Sequence, residues 1–192
     1  MGVGIKKKIN LKKNKAIFLD RDGVINKVIL KIGKPYAPLY LNKLKVLPYV
    51  KRSMHMLKDQ GYLLIVITNQ PDVVRGRANF NEIELINKYL TKKLPIFKIF
   101  TCYHDKYHKC FCRKPLPGSI LSAVSKYNIN IKESYLVGDR WSDIEAGKKA
   151  GCKTIFIDCH YKEKQPKFYD FKSNSLLGAT KIILSNKNNA KY

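Results

Sequence analysis

Asp20-Arg21-Asp22-Gly23 follows directly on the apolar run Ala16-Ile17-Phe18-Leu19. Side chains two apart along a strand point the same way, so Asp20 and Asp22 would face one site. Two carboxylates held together need a cation, and a hard divalent ion such as Mg²⁺ takes oxygen ligands of this kind. In such a site one Asp can attack phosphorus while the other moves the proton. The alternative is a turn with two solvated aspartates. Three later segments carry complementary groups. Ile65-Val66-Ile67 runs into Thr68-Asn69-Gln70, a hydroxyl and two amides able to hold phosphate oxygens. Arg113-Lys114-Pro115 brings two cations, and a lysine there offsets repulsion between a carboxylate nucleophile and an anionic phosphate. Leu136-Val137 runs into Gly138-Asp139, with Asp143 four residues on. Asp139 can reach a metal held by Asp20. Asp143 either supports that metal from behind its ligands or is a first-turn aspartate favoured by the helix dipole.

These groups need elements that end in one place. The apolar periodicity predicts strands at Ala16–Leu19, Tyr62–Thr68, Ile96–Thr101, Ser134–Val137 and Thr154–Ile157. Helices are expected over Tyr49–Gln60, Asn81–Lys93 (capped by Asn79 or Asn81), Gly118–Tyr127 and Ser142–Ala150, with a short one near Ser175–Leu184. Val- and Ile-rich strands alternating with helices give an α/β fold, a parallel sheet covered on both faces. Such sheets carry their sites outside the carboxyl ends of the strands, where all four motifs fall. Residues 1–15, with six lysines and no acid, read as a flexible basic arm; 16–185 read as one domain and 186–192 as a tail. The long connections Asn26–Pro48 and Cys102–Pro117 are expected to be functional.

Asp20-x-Asp22, Thr68, Lys114 and Gly138-Asp139-x-x-x-Asp143, in that order, resemble the four motifs of the haloacid dehalogenase (HAD) superfamily. The match spans residues 16–158. The resemblance implies a three-layer Rossmann-like core and Mg²⁺-dependent phosphate transfer through an aspartyl-phosphate. Asp20 would be the nucleophile and Asp22 the acid and base. Thr68 and Lys114 would position the phosphoryl group. Mg²⁺ would be held by Asp20, the backbone carbonyl of Asp22, and Asp139. An acid rather than Thr at the second aspartate position favours an ester phosphatase over an ATPase or dehalogenase.

Cys102-x-His104 and Cys110-x-Cys112 place three thiols and one imidazole within eleven residues, a donor set suited to tetrahedral Zn²⁺ in a closed structural site. Free or disulfide-bonded cysteines are the alternative, and His108 is a competing ligand. Cys152 and Cys159 read as small core residues. A metal here would stiffen the segment just before Arg113-Lys114. The run from Cys102 through Cys112-Arg113-Lys114-Pro115-x-Pro117-Gly118, with Thr68-Asn69-Gln70 and Arg75-Gly76, resembles the heptose-1,7-bisphosphate 7-phosphatase and histidinol-phosphate phosphatase subgroup. The heptose enzymes are compact and capless. The resemblance implies that Asn69, Gln70 and Arg113 contact substrate, with Arg75 nearby. Pro71-Asp72-Val73-Val74 departs from the Ser-Gly-Ile-Ala form of that subgroup. A bisphosphate needs a second anion site, and a fixed Arg fork suits a phosphate that is held but not cleaved.

The chain carries a formal charge of +24, from 38 basic and 14 acidic residues among 192. Six of the bases are Arg and the lysines are scattered, so no specific nucleic-acid surface is expected. A basic surface that attracts small anionic substrates is the preferred reading. With no apolar segment long enough for a span or signal, a soluble, monomeric, cytoplasmic enzyme acting on a small phosphorylated sugar is expected. Histidinol phosphate, a nucleic-acid 3′-phosphate, and a zinc-stabilised binding module without catalysis are the competing readings.

Overall fold

The computed structural model describes residues 13–189. Six parallel strands form one sheet: β1 (Lys15–Leu19), β4 (Tyr62–Asn69), β5 (Lys98–Cys102), β6 (Tyr135–Gly138), β7 (Lys153–Ile157) and β8 (Phe171–Ser173). Their spatial order is β5-β4-β1-β6-β7-β8. β1 therefore lies between β4 on one side and β6 on the other. That reversal of strand order opens a crevice at the carboxyl end of β1, where Asp20 stands.

Period-two alternation sorts the core into two layers. Ile17, Leu19, Leu64, Val66, Val137, Ile155 and Ile157 face helices α1 (Val50–Asp59), α2 (Phe80–Lys93) and α5 (Leu176–Asn189). Ala16, Phe18, Ile65, Ile67, Leu136 and Phe156 face α3 (Gly118–Lys126) and α4 (Trp141–Ala150). Each large side chain buried this way contributes about 1.5–3 kcal/mol. The expected α/β, three-layer, parallel architecture is thus present. No helix among the described residues is long and apolar enough to cross a membrane.

Boundaries differ in instructive ways. The third long strand starts at Lys98 rather than Ile96, because Ile96 turns back to bond the Leu94 carbonyl at 2.7 Å, and it runs on to include Cys102. Asn79, not Asn81, caps α2, its side chain accepting from Asn81 N at 2.7 Å. The last helix continues through Asn189, past the expected domain end at 185; residues 190–192 of the expected tail lie outside the described residues. Of the expected basic arm, 1–12 lie outside the described residues. Its last two residues are tied down: Asn14 N bonds Asn128 O at 2.9 Å, and Lys15 begins β1.

The connection between β1 and α1 holds a hairpin, β2 (Ile29–Lys31) and β3 (Lys34–Tyr36). Its two-residue turn, Ile32-Gly33, has positive φ at both positions (51° and 76°), as a tight hairpin turn requires. Lys34, Pro35 and Tyr36 of this hairpin overhang the crevice. The hairpin and β8 went unseen in the sequence because each strand has only three residues, and β2 is exposed throughout.

Candidate active site

Asp20, Thr68 and Asp139 sit at or just past the carboxyl ends of their strands, and Lys114 lies in the long loop after β5. Asp20 directly follows β1, its backbone N–H bonded to Val137 O of the neighbouring β6 at 3.0 Å. Its side chain is buried, as are those of Asp139, Asp143, Thr68 and Lys114. Lys114 crosses from the far loop to the centre. Its ammonium donates to Asp20 Oδ1 (2.7 Å) and to the Ile67 carbonyl (2.8 Å), and pairs with Asp143 Oδ1 (2.6 Å). Asp143, in the first turn of α4, makes two contacts. Its Oδ2 accepts from Arg140 N (2.9 Å), capping α4, while Oδ1 meets the lysine.

Asp20, Asp139 and Asp143 bring carboxylate oxygens within 4.8 Å of one another. Three buried carboxylates face one ammonium, so the cluster carries excess negative charge. Burial and the neighbouring Asp143 and Asp22 charges push the Asp20 carboxyl up to about 6 against the pull of Lys114. Burial first, then Asp20 and Asp143, hold Asp139 well above the usual carboxylate range. Among the described residues no hydrogen bond of ordinary geometry reaches either Asp139 oxygen, and the Tyr161 hydroxyl beside it offsets only part of its charge. Oxygen donors, net negative charge and orphaned lone pairs fit a hard divalent cation. Gly23 makes room for this: at φ +103°, an added Cβ would fall 1.9 Å from Asp139 Oδ2.

Asp22 lies at the floor of the cleft beside Asp20. Gln70 Nε2 donates to Asp22 Oδ2 (2.7 Å) and to Thr68 Oγ1 (2.8 Å), binding three of the expected residues into one unit. Asn69 Oδ1 accepts from Lys114 N (3.2 Å) and its Nδ2 donates to Lys114 O (3.1 Å). Asn69 and Gln70, expected to touch substrate, do line the cleft, but these amide bonds are made within the protein.

The cleft has a volume of about 320 Å³. Arg75 and Arg113 lie on its wall, with Arg140 and Lys34 as further cations. Arg113 Nη1 donates to His104 O at 3.0 Å. Arg75 pairs loosely with Asp72 and Asp105, each at 3.7 Å. Arg140 forks onto Glu163 through Nε–Oε1 (2.8 Å) and Nη2–Oε2 (2.5 Å).

Cys102, His104, Cys110 and Cys112 also converge, each offering a donor atom within 4.8 Å of the others. Cys102 Sγ is 3.2 Å from Cys112 Sγ and 3.9 Å from Cys110 Sγ, and His104 Nδ1 is 3.4 Å from Cys112 Sγ. This cluster could bind a metal ion. The expected ligand pairs are therefore together. His108 bonds instead to Asp105, at 2.8 Å.

A family model described as HAD-hydrolase-like matches residues 111–165. D-glycero-alpha-D-manno-heptose-1,7-bisphosphate 7-phosphatase of Photorhabdus laumondii is 36% identical over 187 residues, covering 89% of this chain and 97% of that protein. The D-glycero-beta-D-manno-heptose-1,7-bisphosphate 7-phosphatase of Helicobacter pylori strain 26695 is 35% identical over 155 residues, covering 75% and 83%. The chain belongs to the heptose-bisphosphate 7-phosphatase family of HAD-like hydrolases. Its members are named phosphatases, and the chain is an enzyme of that hydrolase class. Among solved structures, a D,D-heptose 1,7-bisphosphate phosphatase from B. bronchiseptica, complexed with magnesium and phosphate, shares the fold. Its TM-score is 0.76 at 23% identity, over 90% of this chain and 99% of that one.

Of four further residues around the family's site, three carry no signal in the sequence. Arg21, between the two aspartates, is fully buried. Tyr161 sits beside Asp139. Arg140 and Glu163 form one wall, from positions 23 residues apart. An arginine inside the first motif was the one visible clue, since a charged residue next to an apolar strand must find a buried partner.

Proposed function

We propose that this chain is a Mg²⁺-dependent phosphatase that removes the 7-phosphate of D-glycero-D-manno-heptose 1,7-bisphosphate through an aspartyl-phosphate. The observation that carries this reading is Lys114, held between Asp20 and Asp143 beneath a cleft walled by Arg75 and Arg113. The named activity of the relatives supports the substrate.

In this reading Asp20 attacks phosphorus. The bond to the sugar oxygen breaks, and that oxygen takes a proton from Asp22. Water then attacks the aspartyl-phosphate, Asp22 takes its proton, and phosphate leaves as Asp20 is restored. Thr68 and Lys114 hold the phosphoryl oxygens. Asn69 places Lys114, and Gln70 places Asp22 and Thr68. Asp20, Asp139 and the backbone carbonyl of Asp22 would hold Mg²⁺, whose charge would neutralise that of the phosphate. Arg113 and Arg75 bind the phosphate that stays. Cys102, His104, Cys110 and Cys112 would hold Zn²⁺, which would fix the loop whose His104 carbonyl accepts from Arg113. The enzyme works as a cytoplasmic monomer, its domain starting near residue 16, in nucleotide-heptose synthesis for lipopolysaccharide.

A phosphate-release panel with Mg²⁺ tests this, with both heptose bisphosphate anomers, histidinol phosphate and 3′-phosphorylated DNA. Release from a heptose bisphosphate at a kcat/KM at least about tenfold above the other two supports the reading. Preference for histidinol phosphate or DNA overturns it.

A further inference from the structure

Arg21 presents an unusual balance. Its guanidinium is fully buried at 0% exposure, and its ion-pair partner is the next residue, Asp22, at 3.1 Å. Arg21 Nε reaches both Asp22 oxygens, at 3.3 and 3.2 Å, and Nη2 reaches Oδ1 at 3.3 Å. On its far side Nη1 donates to Asn87 Oδ1 of α2, at 2.9 Å. Asn87 is itself fixed, its Nδ2 donating to Glu84 Oε1 (3.0 Å) and Thr101 Oγ1 (3.2 Å). The Asp22 carboxylate is thus tied through Arg21 to a helix in the core.

The turn around Asp22 does not need this guanidinium to close. Its backbone closes it, with Ile25 N and Asn26 N on Arg21 O at 2.9 and 3.0 Å, and Gly23 N on Asn26 O at 2.7 Å. An arginine costs several kcal/mol to bury and stays buried only when paired. A methylene chain would fill the same space without that cost. The structure thus spends a buried charge on the one carboxylate that moves protons.

We propose that Arg21 is a positioning residue for Asp22. It holds the Asp22 carboxyl at the leaving oxygen and steadies the carboxylate that forms there once the proton is given up. The proposal rests on the phosphatase reading, in which Asp22 protonates the departing sugar oxygen as Asp20 bonds to phosphorus. Such a role acts on proton delivery and leaves phosphate binding alone.

Leaving groups separate this role from a purely structural one. The sugar alkoxide of heptose 1,7-bisphosphate must gain a proton as it departs; the nitrophenolate of 4-nitrophenyl phosphate needs none. First-turnover release of each alcohol is measured for the wild type and Arg21→Met, with thermal melts as a check on folding. The expected result is a loss of about 10- to 100-fold on the heptose substrate with less than about threefold on the nitrophenyl ester. Equal losses on both, or no loss on the heptose, overturn the proposal. Should Arg21→Met fail to fold, Asn87→Leu keeps the ion pair but frees its anchor. The same selective loss at smaller amplitude is then expected, and an equal loss on both esters overturns the proposal. A wild type inactive on both esters removes the phosphatase reading itself, and the role of Arg21 with it.

Discussion

Asn69 holds the backbone of Lys114 as a neighbouring strand would, with Oδ1 on its N–H at 3.2 Å and Nδ2 on its carbonyl at 3.1 Å. The two residues are 45 apart in sequence, and Lys114 has no regular element to place it. One side chain amide therefore fixes the main chain from which the central ammonium reaches Asp20.

Asn69→Ala removes both bonds and leaves Lys114 on a looser loop. The expected loss is about 10-fold or more in kcat, with KM changed less, since a misplaced catalytic group costs most in the transition state. Steady-state kinetics on heptose 1,7-bisphosphate check this. A rise in KM alone would show that Asn69 binds substrate.

Metal-free stability should depend on pH through the buried carboxylates. The Asp20 carboxyl is pushed up to about 6 from an ordinary 3.8, chiefly by burial, and Asp139 is raised in the same direction. Over this window the folded chain binds more protons than the unfolded one. The stability these groups contribute is therefore complete below the ordinary carboxylate value; that of Asp20 is lost as pH rises through about 6, and that of Asp139 is lost in the same direction. Mg²⁺ competes with those protons. Melting curves should show the metal raising Tm clearly at about pH 7.5 and little at about pH 5. An equal effect at both would separate the metal from this cluster.

Much of the fold was legible because its strands are apolar and its helices are amphipathic, so the alternation of elements could be read without contacts. Thr68 and Asp139 were legible because each carries its chemistry in its residue type next to a strand end, and Lys114 because it stands beside Arg113 in a long loop between a strand and a helix. Asn69 was legible as a site residue, but its bonds to Lys114 were not, nor was the contact of Arg21 with Asn87, since these partners are 45 and 66 residues away. The hairpin turn Ile32-Gly33 lacked the usual Asn-Gly signal, although its positive φ values are those of such a turn.

The four-ligand loop should hold one Zn²⁺ per chain. Cys110→Ser should lose that metal and about 2 kcal/mol or more of stability, lowering Tm by roughly 4–8 °C in a chain of this size. Metal analysis of the purified protein and calorimetry read both. Full zinc in the variant would contradict the ligand set.

Arg113 stands on the cleft wall with one guanidinium nitrogen on His104 O. Arg113→Ala should raise KM for the bisphosphate about tenfold, some 1.4 kcal/mol, and change KM for a heptose 7-monophosphate far less. Arg113→Lys should restore little, because an ammonium lacks the planar fork. Equal changes for both substrates would place the second phosphate elsewhere.

The whole account turns on a covalent bond between Asp20 and phosphorus. Rapid acid quench of the enzyme with Mg²⁺ and heptose 1,7-bisphosphate, followed by peptide mass spectrometry, reads it directly. The expected result is one phosphoryl group on the peptide carrying Asp20, absent in Asp20→Asn, which also releases no phosphate. Phosphate release by Asp20→Asn at the wild-type rate, or a phosphoryl group found on another residue, would contradict it.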